Sequence, residues 1–233
     1  MKLVLDIGNS RIKWGLWDGS SLTEVHDYAG TPDSLPTRLP VAYAAVGSCP
    51  ADLSSWLQAR QATALDGLSP GLLHSLYQSP HTLGADRWCA IHAAWLRADR
   101  RACLVLDVGT AVTTDLADNQ GRYLGGSISP GLHLRYQSLH TYTHRLPLLQ
   151  PVEPWPALGT DTRTAIQQGV QQGLLYELEG HMAQARAQFP QLSVFLTGGQ
   201  AQLFAKPLES RNFAPLQLCP SLVLEGVGIL SAL

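Results

Sequence analysis

Leu3-Val4-Leu5-Asp6-Ile7-Gly8-Asn9-Ser10 recurs further along the chain as Leu104-Val105-Leu106-Asp107-Val108-Gly109-Thr110-Ala111. Five of the eight positions are identical, and Ile7 is answered conservatively by Val108. Each copy is a short, β-rich apolar run that ends in Asp-x-Gly. Each is followed by a second strand-like segment, Ile12 to Trp17 in the first copy and Val112 to Leu116 in the second. Each half is therefore expected to open with a β-hairpin whose tight turn carries the Asp-x-Gly. A repeat this long is a duplicated domain, since a solenoid has a period of roughly 20–50 residues. Two unrelated buried strands ending in a common turn would not need to agree in register, identity and following strand at once.

Working outward from the repeat, the remaining pattern is α/β. Val41 to Val46 reads as a buried strand and Ala51 to Arg60 as a short helix. Asp86 to Ala98 places Trp88, Ile91 and Trp95 three and four residues apart, the spacing of an amphipathic helix. Gly159 to Gln188 reads as mostly helix, Val194 to Leu196 as a late strand, and Leu222 to Leu233 as a terminal helix. Leu146 to Pro156 holds four prolines and reads as a loop. The expected lobes are 1–99 and 100–233, with the boundary just ahead of the second repeat.

The 233 residues are 45% hydrophobic and 15% charged, which suits folded α/β lobes and excludes a disordered chain. A net charge of −2 with scattered Lys and Arg argues against nucleic-acid or membrane-surface binding. The apolar run before Asp6 is too short for a signal peptide, and no stretch reaches membrane length. Cys49, Cys89, Cys103 and Cys219 form no C-x-x-C pair and read as reduced, buried thiols. A cytoplasmic protein is expected.

Glycine at the bend of a hairpin lets the main chain approach a ligand, and successive N–H groups there form an anion-binding concavity. An Asp beside that concavity would repel bare phosphate, so it makes sense as a cation site. Two such loops from the two halves, facing across a cleft, would clamp a nucleotide triphosphate and its metal. Lys13 would project from the second strand of the first hairpin toward a phosphate. Neither a Walker G-x-x-x-x-G-K-[ST] nor a helix-opening G-x-G-x-x-G is present. Leu196-Thr197-Gly198-Gly199-Gln200 is a third glycine turn, read either as a ribose or adenine contact or as a plain strand-to-helix connection.

With these loops in place, the chain resembles the acetate kinase, sugar kinase and actin superfamily, built from two ribonuclease H-like halves with a nucleotide cleft between them. Within it the chain resembles the type III pantothenate kinases over nearly its whole length. Asp6-Ile7-Gly8-Asn9-Ser10-Arg11-Ile12-Lys13 is similar to their D-x-G-N-[ST]-x-x-K phosphate motif, and Gly84-Ala85-Asp86-Arg87 to their G-x-D-R substrate motif. Asp107-Val108-Gly109-Thr110 matches their D-x-G-T. Gly125 to Leu132 resembles their G-G-x-I-x-P-G-L, and Gly159 to Thr162 sits where they carry G-x-x-T. Any one of these motifs is weak, but five in the family's order are specific.

The resemblance implies ATP-dependent phosphorylation of the primary hydroxyl of pantothenate, the first step of coenzyme A synthesis, with Mg²⁺ accompanying ATP. It gives Asp86 the general-base position. Asp6 to Lys13 (Asp6, Ile7, Gly8, Asn9, Ser10, Arg11, Ile12 and Lys13) and Thr110 take the ATP positions. Tyr77, Gly84, Ala85, Asp86, Arg87 and Thr162 take the pantothenate positions. Asp107 takes the site of a monovalent cation, potassium or ammonium. It also implies a homodimer with the substrate site near the subunit interface.

From the residues alone, each role has a plainer counterpart. Asp86 suits ordinary capping of a helix's first turn. Arg87 suits a surface ion pair with Asp86 or Asp99, Tyr77 a core aromatic with a wet tip, and Thr162 a helix N-cap. Asp107 resists such an account, because an acid ending an apolar strand needs a cation or several N–H donors. His133, His140 and His144 fall on an expected helix, the last two at i, i+4, but lack the Glu and Cys partners of a zinc site. Glu177 and Glu179 are expected to be solvated. Two other readings remain: a kinase or polyphosphate hydrolase with a different acceptor, and a regulatory accessory protein that keeps the kinase fold.

Overall fold

The computed structural model describes residues 1–210 and 215–233. The chain begins with β1 (Lys2–Ile7), β2 (Ile12–Trp17) and β3 (Leu22–Asp27), followed by β4 (Val41–Ala45), α1 (Ala51–Ala59) and β5 (Thr63–Leu65). The two-residue strand β6 (His74–Ser75) leads to α2 (Ala85–Arg97). The second copy opens with β7 (Cys103–Val108), β8 (Ala111–Ala117) and β9 (Arg122–Pro130). It continues through α3 (Leu132–Thr141), α4 (Thr162–Gln188), β10 (Ser193–Thr197), α5 (Ala201–Glu209), β11 (Leu216–Leu218) and α6 (Leu222–Leu230).

The strands form two sheets, one in the order β3-β2-β1-β4-β5 and the other in the order β11-β10-β7-β8-β9-β6. Read from its other end, the second contains β9-β8-β7-β10-β11, which repeats the first strand for strand; β6 is added at the β9 edge. A helix falls between the last two strands of each series, α1 between β4 and β5 and α5 between β10 and β11. This is the duplicated α/β architecture that the repeated octapeptide predicts.

The physical cause lies in the strand composition. β1 runs antiparallel to β2 and parallel to β4, so both of its edges are paired, and the burial of the consecutive Leu3, Val4 and Leu5, with Ile7, shows that both of its faces are covered. Leu3, Leu5 and Ile7 pack with Leu35, Val41, Leu53 and Leu57 in one core cluster. Each such side chain contributes about 1.5–3 kcal/mol on leaving water. The second copy repeats the pattern at Leu104, Val105, Leu106 and Val108. Contacts group the chain into two compact units, 1–105 with 115–125 and 221–233, and 106–114 with 126–220.

Several local expectations need correction. The long helix starts at Thr162 rather than Gly159, because Asp161 caps it: the Asp161 side chain accepts from the Thr164 N–H at 3.0 Å, and Thr164 Oγ1 returns a bond to the Asp161 backbone. Thr162 is therefore the first helical residue and not the cap. α3 ends at Thr141, which leaves His144 outside the helix and breaks the expected i, i+4 pair. Among the described residues no cluster of acids, His and Cys suited to a metal ion occurs. Glu177 is half-buried and ion-paired with Arg135 instead of solvated, and it also accepts from Ser129.

Candidate active site

In the first unit, β1 and β2 pair so that Asp6 lies opposite Lys13. The turn between them closes through the Gly8 N–H, which donates to Arg11 C=O at 3.0 Å. Asn9, Ser10 and Arg11 are exposed at its tip. The chain leaving β4 packs under this turn: the Val46 and Gly47 N–H groups both donate to Ile7 C=O at 3.0 Å. A Cβ at position 47 would lie 2.2 Å from the Gly8 carbonyl oxygen, so only glycine allows that approach.

Asp86 belongs to the same unit, in the first turn of α2. Its Oδ1 accepts the Arg87 N–H at 2.8 Å. Burial raises the Asp86 carboxyl above the usual range, against the pull of the Arg87 N–H and guanidinium. Burial first, and the Asp86 charge second, push the Asp6 carboxyl up to about 7, while Lys13 pulls it down. A buried acid whose proton affinity is raised by a neighbouring carboxylate sits in a negative potential that attracts positive charge.

Arg87 departs from the expected surface pairing. It is 5% exposed, and its partner is neither Asp86 nor Asp99 but Asp115 on β8, which is 1% exposed. Arg87 Nε donates to the two Asp115 oxygens at 3.0 and 3.2 Å, and Nη2 lies 2.7 Å from Oδ1. Tyr123 donates its hydroxyl to the same Oδ1 at 2.6 Å. Burial first, with a smaller push from the Asp86 charge, lifts the Asp115 carboxyl, and Arg87 and Tyr123 pull against that rise. A guanidinium does not give up its proton, so the pair is ionic. The guanidinium carbon also sits 5.7 Å from the centre of the Tyr77 ring, and that ring lies 6.1 Å from Tyr123. Tyr77 is thus held in an aromatic and cationic cluster.

In the second unit, Asp107 is the penultimate residue of β7. The Gly109 N–H donates to Ala111 C=O at 3.0 Å, closing the turn as Gly8 does in the first copy. Thr110 C=O accepts the Gly131 N–H at 3.0 Å, and Val108 C=O accepts the Gln200 N–H at 2.9 Å. The third glycine turn therefore packs on this hairpin. Gly198 has φ +98°, and a Cβ there would lie 2.4 Å from Asp107 Oδ1 and 2.5 Å from the Val108 carbonyl. Thr162, also in this unit, is exposed and lines a pocket of about 670 Å³ with Arg135, Leu139, Ile166 and Val170.

Thus Asp6, Lys13, Tyr77, Asp86 and Arg87 gather in the first unit, while Asp107, Thr110 and Thr162 fall in the second. Asp115 and Tyr123 were missed at the sequence level. The available signal was an acid in the middle of the Val112–Leu116 strand, where a buried carboxylate needs a partner.

Comparison with known proteins places the chain in a family. The family profile described as type III pantothenate kinase matches residues 55–184. A type III pantothenate kinase from Bacteroides fragilis is 39% identical over 224 residues, and one from Flavobacterium johnsoniae is 36% identical over 228. In both cases 92% of each chain is covered. Among solved structures, a conserved protein from Campylobacter jejuni assigned to the Baf family of transcriptional activators aligns with a TM-score of 0.64 at 22% identity. That alignment covers 99% of this chain and 97% of the other. A Sinorhizobium meliloti protein described as a 2-dehydro-3-deoxygalactonokinase aligns at 0.59 and 15% identity, covering 100% and 97%. These structural likenesses give the fold alone, the actin-like α/β fold of the sugar kinases.

Proposed function

This chain belongs to the type III pantothenate kinase family, and we propose that it transfers the γ-phosphoryl group of ATP to the primary hydroxyl of pantothenate with Asp86 as the general base. The product is 4'-phosphopantothenate, which opens coenzyme A synthesis. The observation that carries the reading is the coupling of Asp6, Lys13 and Asp86 within one unit, in a chain 39% identical to a type III pantothenate kinase over 224 residues.

Phosphoryl transfer passes through a loose transition state, so the protein's work is positioning and charge neutralisation. Asp86 orients the acceptor hydroxyl and takes its proton late in the transfer. Its carboxyl, raised by burial, holds that proton more readily than an exposed Asp would. The exposed turn Asn9-Ser10-Arg11 offers main-chain N–H groups to phosphate, and Lys13 adds a point charge. Thr110 contributes from the second Asp-x-Gly turn, and Tyr77, Gly84 to Arg87 and Thr162 contact pantothenate.

Mg²⁺ with ATP supplies charge neutralisation on the phosphates, and the elevated proton affinity of Asp6 fits a carboxylate that works beside a cation. Asp107 would hold potassium or ammonium. Glycine at 198 is what lets the third turn lie against the Asp107 carboxylate, because a Cβ there would press on Oδ1. The reading also includes a homodimer in the cytoplasm. Among the described residues no helix is long and apolar enough to cross a membrane.

The test is ATP turnover with pantothenate, run in potassium, in ammonium, and in sodium alone. Turnover that depends on potassium or ammonium is expected. No turnover in any salt would overturn the kinase reading, and turnover indifferent to the salt would remove the role of Asp107 only.

A further inference from the structure

The Arg87–Asp115 pair is the most deeply buried ion pair described in the molecule, and it stands directly beside the residue assigned as base. A buried ion pair contributes little net stability, because desolvating both charges offsets their attraction. An apolar pair of similar volume would serve a core as well. Three features suggest that this pair does something else. Asp115 grips the guanidinium from two sides, through Nε and through Nη2, which sets the plane of the fork as well as its position. Tyr123 in turn fixes Asp115, and its ring packs against the Tyr77 ring and, at 5.8 Å, edge-on to Trp88. The Arg87 backbone N–H holds Oδ1 of Asp86, so whatever positions Arg87 also positions the base.

The strand that carries Tyr123, β9, which neighbours β8 in the sheet, is itself well anchored. Ser75 pairs with Tyr123, and the Leu76 N–H donates to Tyr123 C=O at 3.0 Å, so the chain entering Tyr77 is tied to the same strand end. Tyr77, on the segment after β6, and the Asp86–Arg87 turn of α2 therefore reach their places from separate segments, and Asp115 with Tyr123 is the point where those segments meet.

We infer that Asp115 is a positioning residue for the acceptor site: it orients Arg87, and through Arg87 the first turn of α2 that carries Asp86, while Tyr123 holds Asp115 itself. Asp115 touches neither acceptor nor nucleotide. The inference rests on the pantothenate kinase reading, because the acceptor it serves is the one named there. Charge is central to the role. With Asp115 in place the guanidinium is balanced, so the acceptor's carboxylate meets an oriented fork and not a free cation able to turn toward Asp86.

The experiment is steady-state kinetics on the full-length chain, with wild type, Asp115→Asn, Tyr123→Phe, Arg87→Ala and the Arg87→Ala/Asp115→Asn double variant measured side by side. Asp115→Asn keeps the shape and removes the charge. It is expected to raise KM for pantothenate by about tenfold or more and to lower kcat, while KM for ATP stays within about twofold. Tyr123→Phe removes only the hydroxyl and is expected to move pantothenate KM the same way by about two- to fivefold. Adding Asp115→Asn to Arg87→Ala is expected to change pantothenate KM no further, since Asp115 acts through Arg87.

Unaltered pantothenate kinetics in Asp115→Asn would overturn the inference. So would equal losses for ATP and pantothenate, or additive effects in the double variant. If Asp115→Asn fails to fold, as a buried guanidinium without its counter-charge can cause, Tyr123→Phe decides: the shift confined to pantothenate upholds the inference, and no shift overturns it. Absence of pantothenate turnover in the wild type would instead overturn the functional reading on which the inference stands.

Discussion

The two Asp-x-Gly hairpins began as the same stretch of sequence and now differ in what surrounds their acids. Both turns are closed by a glycine N–H that donates to the residue on the far side, Arg11 for Gly8 and Ala111 for Gly109. Both are covered by a glycine that follows the neighbouring strand of the sheet, Gly47 after β4 and Gly198 after β10. The steric requirement has been kept in both copies. The charges have not. Seven residues beyond Asp6 stands Lys13, whereas seven beyond Asp107 stands Thr114, whose hydroxyl pairs with Ser127 at 2.9 Å. The next position holds Trp14, packed on His26 in the first copy, and the ion-paired Asp115 in the second. Duplication supplied two equivalent loops, and substitution beside them made one a charge-rich site and the other a glycine-cleared carboxylate.

The sharpest test of that contrast removes the acid paired with the first hairpin. Asp86→Asn should lower kcat by about 10²- to 10⁴-fold while ATP affinity, measured by calorimetry, stays nearly intact. A near-normal rate would show that the first site does not owe its chemistry to this acid.

Next in size is a methyl added at each covering glycine. Gly198→Ala combines a left-handed backbone with a clash on Asp107, and should cost about 2–4 kcal/mol in denaturant unfolding. It should also weaken any potassium dependence. Gly47→Ala meets the Gly8 backbone instead, so its functional loss should appear in KM for ATP. Identical kinetic signatures for the two variants would collapse the distinction.

A pH series addresses the strained acid. The folded carboxyl of Asp6 sits near 7, above its ordinary value of 3.8, so the folded state holds a proton that the unfolded state has released. Stability of the ligand-free protein should therefore fall as pH rises from about 4 through 7. Asp6→Asn should be more stable than wild type at pH 8, by about 2 kcal/mol, with the difference vanishing below pH 4. His92 runs the opposite way: buried with Nδ1 on Trp88 C=O and Nε2 accepting the Leu73 N–H, it is lowered to about 4 and opposes acidification between 6.5 and 4. Unfolding of Asp6→Asn and wild type with the same pH dependence would remove the claim that the first site is electrostatically strained.

The smallest effect belongs to Thr114. Thr114→Val loses one hydrogen-bonded pair with Ser127 and should cost about 1 kcal/mol, leaving kcat within about twofold. Lys13→Met, at the matching position, should weaken ATP binding strongly. Comparable kinetic damage from both would mean the two hairpins are less divergent than their charges suggest.

Much of this was legible in the chain. The octapeptide repeat predicted the hairpins, and the Trp88–Ile91–Trp95 spacing predicted α2, because apolar periodicity reports local structure directly. The Arg87–Asp115 pair was not legible. Its members stand 28 residues apart, and nothing at Arg87 separates a surface partner from a buried one. Glu177 and Arg135, 42 residues apart, escaped for the same reason. Thr162 was misread because Asp161, one residue earlier, is the better acceptor for the helix's open N–H groups.

By itself, then, the sequence determined the duplication, the two glycine turns and the residue types placed at them. Those follow from strand periodicity and from the few residues a tight turn admits. Only the tertiary structure decided which charges meet. Whether Arg87 faces solvent, Asp86 or Asp115 depends on where α2 and β8 pack. Once both groups are buried, an unpaired charge costs several kcal/mol, so the fold must supply the partner.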